Sequence, residues 1–195
     1  IYLLLLTSLC CLQAGAVSSE IRSLSVSDGL PDLVINTIYK DSKGYVWMGT
    51  NTSVERFDGI RLEHYMVEGS NENLKRVFAL VEMPGNELWV GTGMGLFRLA
   101  DDAEKLERLA PEMITSGVHA FCKLGDVLYV GTEKGLYVYK GGVFEHVLVD
   151  KNIFSRANFV TGMVEGENGI LWLSTMGGLK SLRLSDQSIT SFSDK

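Results

Sequence analysis

Cysteine and proline are both scarce in this chain. It has 195 residues, of which three are cysteine and three are proline, and two of the cysteines, Cys10 and Cys11, lie close to the amino terminus. Cys122 stands alone in the apolar run VHAFCKL. A single cysteine there excludes a disulfide framework and a cysteine-based metal site. We predict a buried, unreactive thiol.

Clusters of basic residues are also missing. The net charge is −6, and no run of lysine or arginine stands out. The electrostatic signature of a nucleic-acid-binding protein is therefore absent, and we expect no nucleic-acid partner.

The common catalytic motifs are absent as well. The chain has no P-loop, no Gly-x-Ser-x-Gly elbow and no His-Glu-x-x-His motif. The glycines of Gly91-x-Gly93-x-Gly95 lack the strand-to-helix context of a nucleotide-binding loop, so we interpret them as a turn. We predict no catalytic residue, cofactor or metal site in this segment.

Long apolar runs are confined to the amino terminus. Residues 1–12 are almost entirely apolar, and the small-residue sequence Ala14-Gly15-Ala16 follows them. This arrangement is typical of a secretory signal peptide, here predicted at 1–16 with a truncated start. We therefore expect the rest of the chain, 17–195, to be exported to the periplasm. Attachment to a membrane would require this peptide or segments downstream of the sequence.

Glycine, in contrast, is abundant, with 21 residues, and many glycines belong to a pattern that occurs four times. The four copies read GYVWMGTNTSVERF, NELWVGTGMGLFRL, DVLYVGTEKGLYVY and GILWLSTMGGLKSL. Their anchor aromatics are Trp47, Trp89, Tyr129 and Trp172, which recur at intervals of about 41 residues. A period of this length, with strand-like alternation between turns, predicts an all-β fold in which small sheets form the blades of a β-propeller.

Each repeat is interpreted as one blade of four antiparallel strands. The predicted blades cover residues 34–66, 77–109, 118–148 and 160–192. The anchor aromatics are expected to pack between neighbouring sheets, because one four-stranded sheet cannot bury both of its faces. The glycine of each Gly-Thr pair is expected to allow one blade to approach the next closely.

A further strand is predicted before the first blade. Residues 21–27 resemble the fourth strands of the later repeats, but no first three strands precede them. Propellers commonly close by pairing an amino-terminal strand with a carboxy-terminal sheet, which hides the open edges. Because the last repeat already has a fourth strand, we interpret the chain as a partial propeller with further blades after Lys195. A self-closed ring of four blades is the alternative.

The motif residues also resemble a known family. The run DGLPDLVINTIYKDSKGYVWMGTNTSVERFDG resembles the start of the periplasmic sensor region of Bacteroidetes hybrid two-component systems, which carry two-component regulator propeller repeats. The first copy supplies the motif residues Asp41, Gly44, Trp47, Gly49, Thr50, Arg56, Phe57, Asp58 and Gly59. It departs from the pattern at Ser53-Val54, where Gly-Leu is usual. The third copy has Tyr129 for tryptophan, and the fourth has Ser174 for glycine.

The resemblance implies a ligand-sensing propeller in a sensor histidine kinase that responds to an oligosaccharide from a glycan. It also implies that the intact protein is a homodimer, and that the kinase activity belongs to modules absent from this chain. Two alternatives remain open from the residues. One is a propeller enzyme, such as a streptogramin-type lyase or a quinoprotein dehydrogenase, and the other is a secreted scaffold for a partner protein.

Few residues are candidates for ligand contact. His119 lies on a predicted first strand, which lines the central channel of a propeller, and it is the one weak candidate for binding ligand. His64 and His146 occupy equivalent fourth-strand positions, where we expect surface residues. Asp41 is expected to satisfy the backbone of its own turn. Arg56 and Arg98 are expected to cover blade edges with their aliphatic stems.

Overall fold

The computed structural model describes residues 23–67 and 74–192. These residues form four separate sheets, and each sheet contains four consecutive strands paired antiparallel in chain order. The prediction of an all-β partial propeller with four-stranded blades is confirmed.

The strands of each blade follow one another directly along the chain. Blade 1 contains β1 (Thr37–Lys40), β2 (Val46–Gly49), β3 (Val54–Phe57) and β4 (Leu62–Tyr65). Blade 2 contains β5 (Val77–Met83), β6 (Glu87–Thr92), β7 (Gly95–Leu99) and β8 (Glu107–Arg108). Blade 3 contains β9 (Val118–Leu124), β10 (Val127–Thr132), β11 (Gly135–Lys140) and β12 (Val143–Val147). Blade 4 contains β13 (Val160–Glu165), β14 (Ile170–Thr175), β15 (Gly178–Arg183) and β16 (Ile189–Phe192).

Polar side chains fix the turns of the first blade. The carboxylate of Asp41 accepts hydrogen bonds from the Tyr45 backbone at 2.8 Å and from the Trp47 indole at 2.7 Å. In the β3–β4 hairpin, the Asp58 carboxylate accepts from the backbone amides of Ile60 and Arg61. These two backbone bonds, with that of Arg61 the stronger, lower the pKa of Asp58. Asp41 therefore satisfies its own turn, as the sequence predicts.

The anchor aromatics occupy equivalent places in successive sheets. Trp47, Trp89, Tyr129 and Trp172 each lie on the second strand, two residues before the glycine or serine of the motif. Trp47 is 5% exposed and Trp89 is 3% exposed, since each is covered by the following blade. Apolar clusters lie between blades 1 and 2, 2 and 3, and 3 and 4, so the core is divided among the blade interfaces.

A glycine on each second strand allows the next blade to pack closely. A Cβ atom placed on Gly91 would lie 2.8 Å from Cγ1 of Val118, the first residue of β9. A Cβ on Gly131 would lie 2.8 Å from Cγ1 of Val160, and Gly49 meets Val77 in the same way. Real Cβ atoms do not approach other atoms this closely, so glycine is required at all three positions.

The predicted strand at 21–27 is wrong where the structure describes it. Residues 23–25 form no regular structure, and Val26–Asp28 form a short 3-10 turn. The Asp28 carboxylate accepts from the Ser25 amide at 2.9 Å, and Gly29 ends the turn with a positive φ of 100°. A strand needs a partner ladder, whereas this segment satisfies its polar groups locally.

The predicted signal peptide at 1–16 lies outside the described residues, as do Cys10 and Cys11. Within the two described ranges, no helix is long and apolar enough to cross a bilayer.

Candidate functional site

The first strands of successive blades lie beside one another, so their starting residues meet at one end of the array. In blades 2, 3 and 4 the pairing of the first and second strands shifts by one residue near that end. The unpaired residues are Phe78, His119 and Thr161. A β-bulge redirects a side chain out of the regular alternation, and bulges are common beside functional sites.

Two of these bulge residues form part of an aromatic stack. The ring of His119 lies between Phe78 of blade 2, with centroids 4.2 Å apart, and Phe159, which precedes blade 4, with centroids 4.7 Å apart. The stack therefore crosses three blades. The prediction placed His119 on a first strand, and the structure adds two aromatic neighbours that hold its imidazole.

His119 also meets a carboxylate. Its Nε2 atom lies 3.2 Å from Oε1 of Glu133, which is in the β10–β11 turn. Because a carboxylate only accepts hydrogen bonds, Nε2 is the donor in this pair. A Cβ atom on Gly117 would lie 2.8 Å from the same carboxylate oxygen, so the pair lies directly against this glycine.

A polar chain extends the stack toward blade 1. The Arg76 guanidinium carbon lies 5.3 Å from the centroid of the Phe78 ring, and its Nε donates to Oδ1 of Asn36 at 3.0 Å. Asn36 in turn donates to Asn51 at 3.1 Å, and Asn51 donates to Asp32 at 2.8 Å. The backbone amide of Val34 is the main cause of the lowered pKa of Asp32, with the Asn51 side chain also contributing.

The loop before blade 2 is strained. Lys75 has a φ of 47° and Arg76 has a φ of 75°, both in the left-handed region that non-glycine residues rarely adopt. The Arg76 amide donates to the Asn51 carbonyl at 2.8 Å, and the Arg76 carbonyl accepts from Gly93 at 3.0 Å. These bonds hold the strained conformation that carries the guanidinium to Phe78, and such strain is concentrated at functional sites.

We call this surface the axial row. Its members combine planar rings with amide, carboxylate and guanidinium groups, and they come from blades 1, 2 and 3 and from the segment before blade 4. They are Asp32, Asn36, Asn51, Arg76, Phe78, His119, Glu133 and Phe159. An elongated ligand with both apolar faces and hydroxyl groups would find stacking surfaces and hydrogen-bond partners along it.

The other histidines lie away from the axial row. His64, on β4, has Nδ1 2.9 Å from the carboxylate of Glu55, which is fully buried and also accepts from Ser53. His146, on β12, stacks on Tyr137 at 4.5 Å and donates to the Lys134 carbonyl at 2.8 Å. Both are exposed residues of fourth strands, as predicted.

The motif arginines pack on aromatic rings and acidic side chains. Arg56 lies 4.6 Å from the centroid of the Tyr45 ring and forms an ion pair with Glu63. Arg98 pairs with Glu107 at 3.1 Å. Cys122 is partly buried, and desolvation is the main cause of its raised pKa, in line with an unreactive thiol. Within residues 23–67 and 74–192, no group of three His, Cys, Asp or Glu side chains is placed to hold a metal ion.

Several members of the axial row were not predicted from the sequence. Glu133 is far from His119 along the chain, and Asn36 and Phe159 lie in different repeats. The sequence could have identified Phe78, because it occupies the same repeat position as His119: each follows the first valine of its first strand, Val77 or Val118.

The fold defines a class, the all-β propellers built of four-stranded blades. Within it, residues 29–52 match the family model described as two-component regulator propeller. This match covers the Asp41, Gly44, Trp47 and Gly49 motif and confirms the resemblance found in the sequence. The match is limited to this one segment of the first repeat.

Solved structures support the same fold. Two similar structures are extracellular domains of hybrid two-component systems from B. thetaiotaomicron. One superposes with a TM-score of 0.74 at 22% identity, covering 88% of this chain and 26% of that domain. The other has a TM-score of 0.68 at 22% identity, covering 81% of this chain and 21% of that domain.

A streptogramin B lyase is also similar, with a TM-score of 0.61 at 14% identity, covering 83% of this chain and 55% of the lyase. At these identities the comparison establishes the fold alone. The chain spans about a quarter of the length of the two B. thetaiotaomicron domains. No curated protein matches the chain.

Proposed function

We propose that this chain is part of the extracytoplasmic, ligand-sensing propeller of a hybrid two-component sensor histidine kinase. The signal is an oligosaccharide derived from a glycan, and the segment itself performs no catalysis. The regulator propeller repeat at 29–52 and the fold of the two extracellular domains support the sensor assignment. The predicted export and homodimerisation of the intact protein belong to the same proposal.

The axial row is the single observation that supports a saccharide ligand. Pyranose rings present apolar C–H faces, which stack on aromatic rings, and hydroxyl groups, which bond to amides and carboxylates. Phe78 and Phe159 offer the rings, while His119 between them, Asn36 and Glu133 offer polar groups. The row extends from blade 1 to the segment before blade 4, which suits a chain of sugars better than a single one.

Binding along the row would also produce a signal. A ligand that contacts several blades favours the arrangement in which those blades are correctly placed, and it shifts the population toward that arrangement. The strained Lys75–Arg76 loop is the segment best placed to respond, because Arg76 connects Asn36 of blade 1 to Phe78 of blade 2.

Calorimetric titration with a panel of glycan-derived oligosaccharides tests the proposal. We expect at least one oligosaccharide to bind the chain, and Phe78→Ala to weaken that binding about tenfold through loss of a stacking surface. The matched control is His146→Gln, a histidine on an outer strand, which should bind like the parent. If no oligosaccharide binds, the glycan part of the proposal is wrong.

The His119–Glu133 pair supports a second candidate, a lyase. An imidazole bonded to a loop carboxylate can transfer a proton, and a streptogramin B lyase shares the fold. The test is incubation of the chain with a streptogramin B antibiotic, followed by mass spectrometry for ring opening. Turnover that disappears in His119→Ala would establish the lyase and contradict the non-catalytic assignment, and absence of turnover would reject it.

A further inference from the structure

Three equivalent grooves lie between successive blades, beside the anchor aromatics, at the opposite end of the first strands from the axial row. Groove 1 lies beside Trp47, groove 2 beside Trp89 and groove 3 beside Tyr129. Because the blades share one strand register, residues at equivalent positions in the three grooves can be compared directly.

Groove 1 is filled by its own side chains and retains a volume of about 20 Å³. Lys43 of blade 1 forms an ion pair with Asp101 of blade 2 across its mouth. Inside, the ring of Tyr65 packs 5.4 Å from Trp47, and Arg56 lies over the Tyr45 ring. These contacts leave no room for a ligand.

Groove 3 is filled in a different way and retains about 30 Å³. Leu184 occupies the position that corresponds to Asp101, and Val147 corresponds to Tyr65. Together with Leu182, these apolar side chains close the space beside Tyr129.

Groove 2 is open, with a volume of about 620 Å³. The ion pair of groove 1 is replaced by glycine on both sides, since Gly85 corresponds to Lys43 and Gly141 corresponds to Asp101. Leu109 takes the place of the larger Tyr65. Three smaller residues at the same repeat positions therefore convert a filled groove into a cleft, and its volume falls within the range of small-molecule sites.

The cleft is lined by aromatic rings and by charged groups of both signs. Trp89 forms the floor, with Tyr139 at 4.8 Å and Phe144 at 5.9 Å between ring centroids. Of the charged lining residues, Arg98 pairs with acidic neighbours and Lys123 donates to the Glu82 carbonyl at 3.0 Å.

Two polar groups of the lining have no partner. The carboxylate of Asp126 and the hydroxyl of Tyr139 make no hydrogen bond to any described residue. A carboxylate accepts from hydroxyl groups, and a phenol both donates and accepts. The two cationic lining residues, Arg98 and Lys123, are balanced by Glu87 and Asp126, so the cleft does not favour a charged ligand.

We infer that the cleft between blades 2 and 3 is a binding site for a small neutral saccharide, with one pyranose ring against Tyr139 and Phe144. Its hydroxyl groups bond to Asp126 and Tyr139. The site is separate from the axial row, and it does not depend on the oligosaccharide proposed to bind there.

The test is a titration of the intact chain with neutral methyl pyranosides, followed by tryptophan fluorescence and saturation-transfer NMR. For a ligand of this size we expect a dissociation constant on the order of 1 mM. Leu109→Tyr, which copies Tyr65 of groove 1, should abolish binding while the thermal unfolding midpoint does not fall. Tyr139→Phe should weaken binding about fivefold through loss of one hydrogen bond.

Tyr45→Phe is the matched control, because it removes a phenol hydroxyl from the filled groove 1 and should leave the affinity unchanged. Phe78→Ala separates the two sites, since it should weaken binding at the axial row and leave the cleft unaffected. Binding that survives Leu109→Tyr would overturn the inference. So would binding of indole to the cleft without binding of any pyranoside, since it would show an aromatic-ligand site instead.

Discussion

Tyr65 shows how strongly one residue can depend on its blade interface. Its side chain is buried against Trp47 at a ring distance of 5.4 Å, and its hydroxyl donates to the Glu63 carboxylate at 2.9 Å. Desolvation, followed by the bond to Glu63, raises the pKa of Tyr65 to about 12. The ionised phenolate is therefore less compatible with the folded chain than with the unfolded chain.

This shift predicts a loss of stability in alkali. The folded-state pKa lies above the ordinary value of 10, so the unfolded chain releases the Tyr65 proton first, and the free energy of unfolding falls as the pH rises from 10 through about 12. Denaturant unfolding at pH 9, 10.5 and 11.5 measures the decline. Tyr65→Phe should be less stable at pH 9 but should decline less steeply. An equal slope in both proteins would contradict the assignment to Tyr65.

At the residue scale, the sequence predicts what a side chain does within its own turn better than what it does across blades. Asp41 was predicted correctly because its partners, Tyr45 and Trp47, are close in sequence and the turn signature is local. The pairing of His119 with Glu133 depends on a β-bulge and on the position of a turn in the same blade. Those features belong to the pairing of strands within the blade in three dimensions, which no local pattern records.

At the scale of elements, the decisive feature is the contact between a second-strand glycine and the first strand of the next blade. Gly49, Gly91 and Gly131 meet Val77, Val118 and Val160 respectively. The sequence predicted this close approach because the Gly-Thr pair recurs in the repeats. In the fourth copy Ser174 replaces the glycine, and this residue is exposed.

Gly91→Ala should therefore destabilise the chain. Its added methyl group would lie 2.8 Å from Val118 Cγ1 and 2.9 Å from the Val118 carbonyl oxygen, so strands β6 and β9 must separate. We expect a loss of about 1–3 kcal/mol in the free energy of unfolding, measured by urea denaturation. Ser174→Ala, at the equivalent exposed position, is the control and should change stability by about 0.5 kcal/mol or less.

Strand positions were predictable because the same pattern of strands and turns occurs four times, so each copy supports the strand boundaries inferred from the others. The exception is the predicted strand at 21–27, whose described part is a 3-10 turn. Its amino-acid sequence resembles that of the fourth strands, but a strand also requires a neighbouring strand to pair with. The open groove 2 was equally hidden, because Gly85 and Gly141 lie in different repeats and each has the residue type of an ordinary turn.

At the scale of the whole molecule, the described sheets are covered unevenly. The face of blade 4 that points away from blade 3 is apolar and exposed. Val164 is 61% exposed, Leu179 is 44% exposed and Phe192 is 48% exposed, and Trp172 lies among them. In blades 1 to 3 the same face is covered by the following blade. An apolar face of this kind promotes association with other apolar surfaces.

The chain expressed as printed should therefore self-associate as its concentration rises. We expect Val164→Lys combined with Leu179→Lys to shift sedimentation coefficients toward the monomer at the same concentration. Both residues are exposed, so the free energy of unfolding should change little. Ile60→Lys, at a still more exposed apolar position in the β3–β4 hairpin of blade 1, is the control and should leave association unchanged.

The contact between glycine and valine has a direction. In the three described interfaces the glycine belongs to the earlier blade and the valine to the later one. Each glycine is therefore translated before the valine that packs against it. When a blade leaves the ribosome, the blade before it already presents the glycine surface on which the new blade packs. The array can therefore assemble in the order of synthesis. A circular permutation that starts at blade 2, 3 or 4 would reverse this order at one interface, because the glycine of the blade before the new start would be translated after the valine that packs against it.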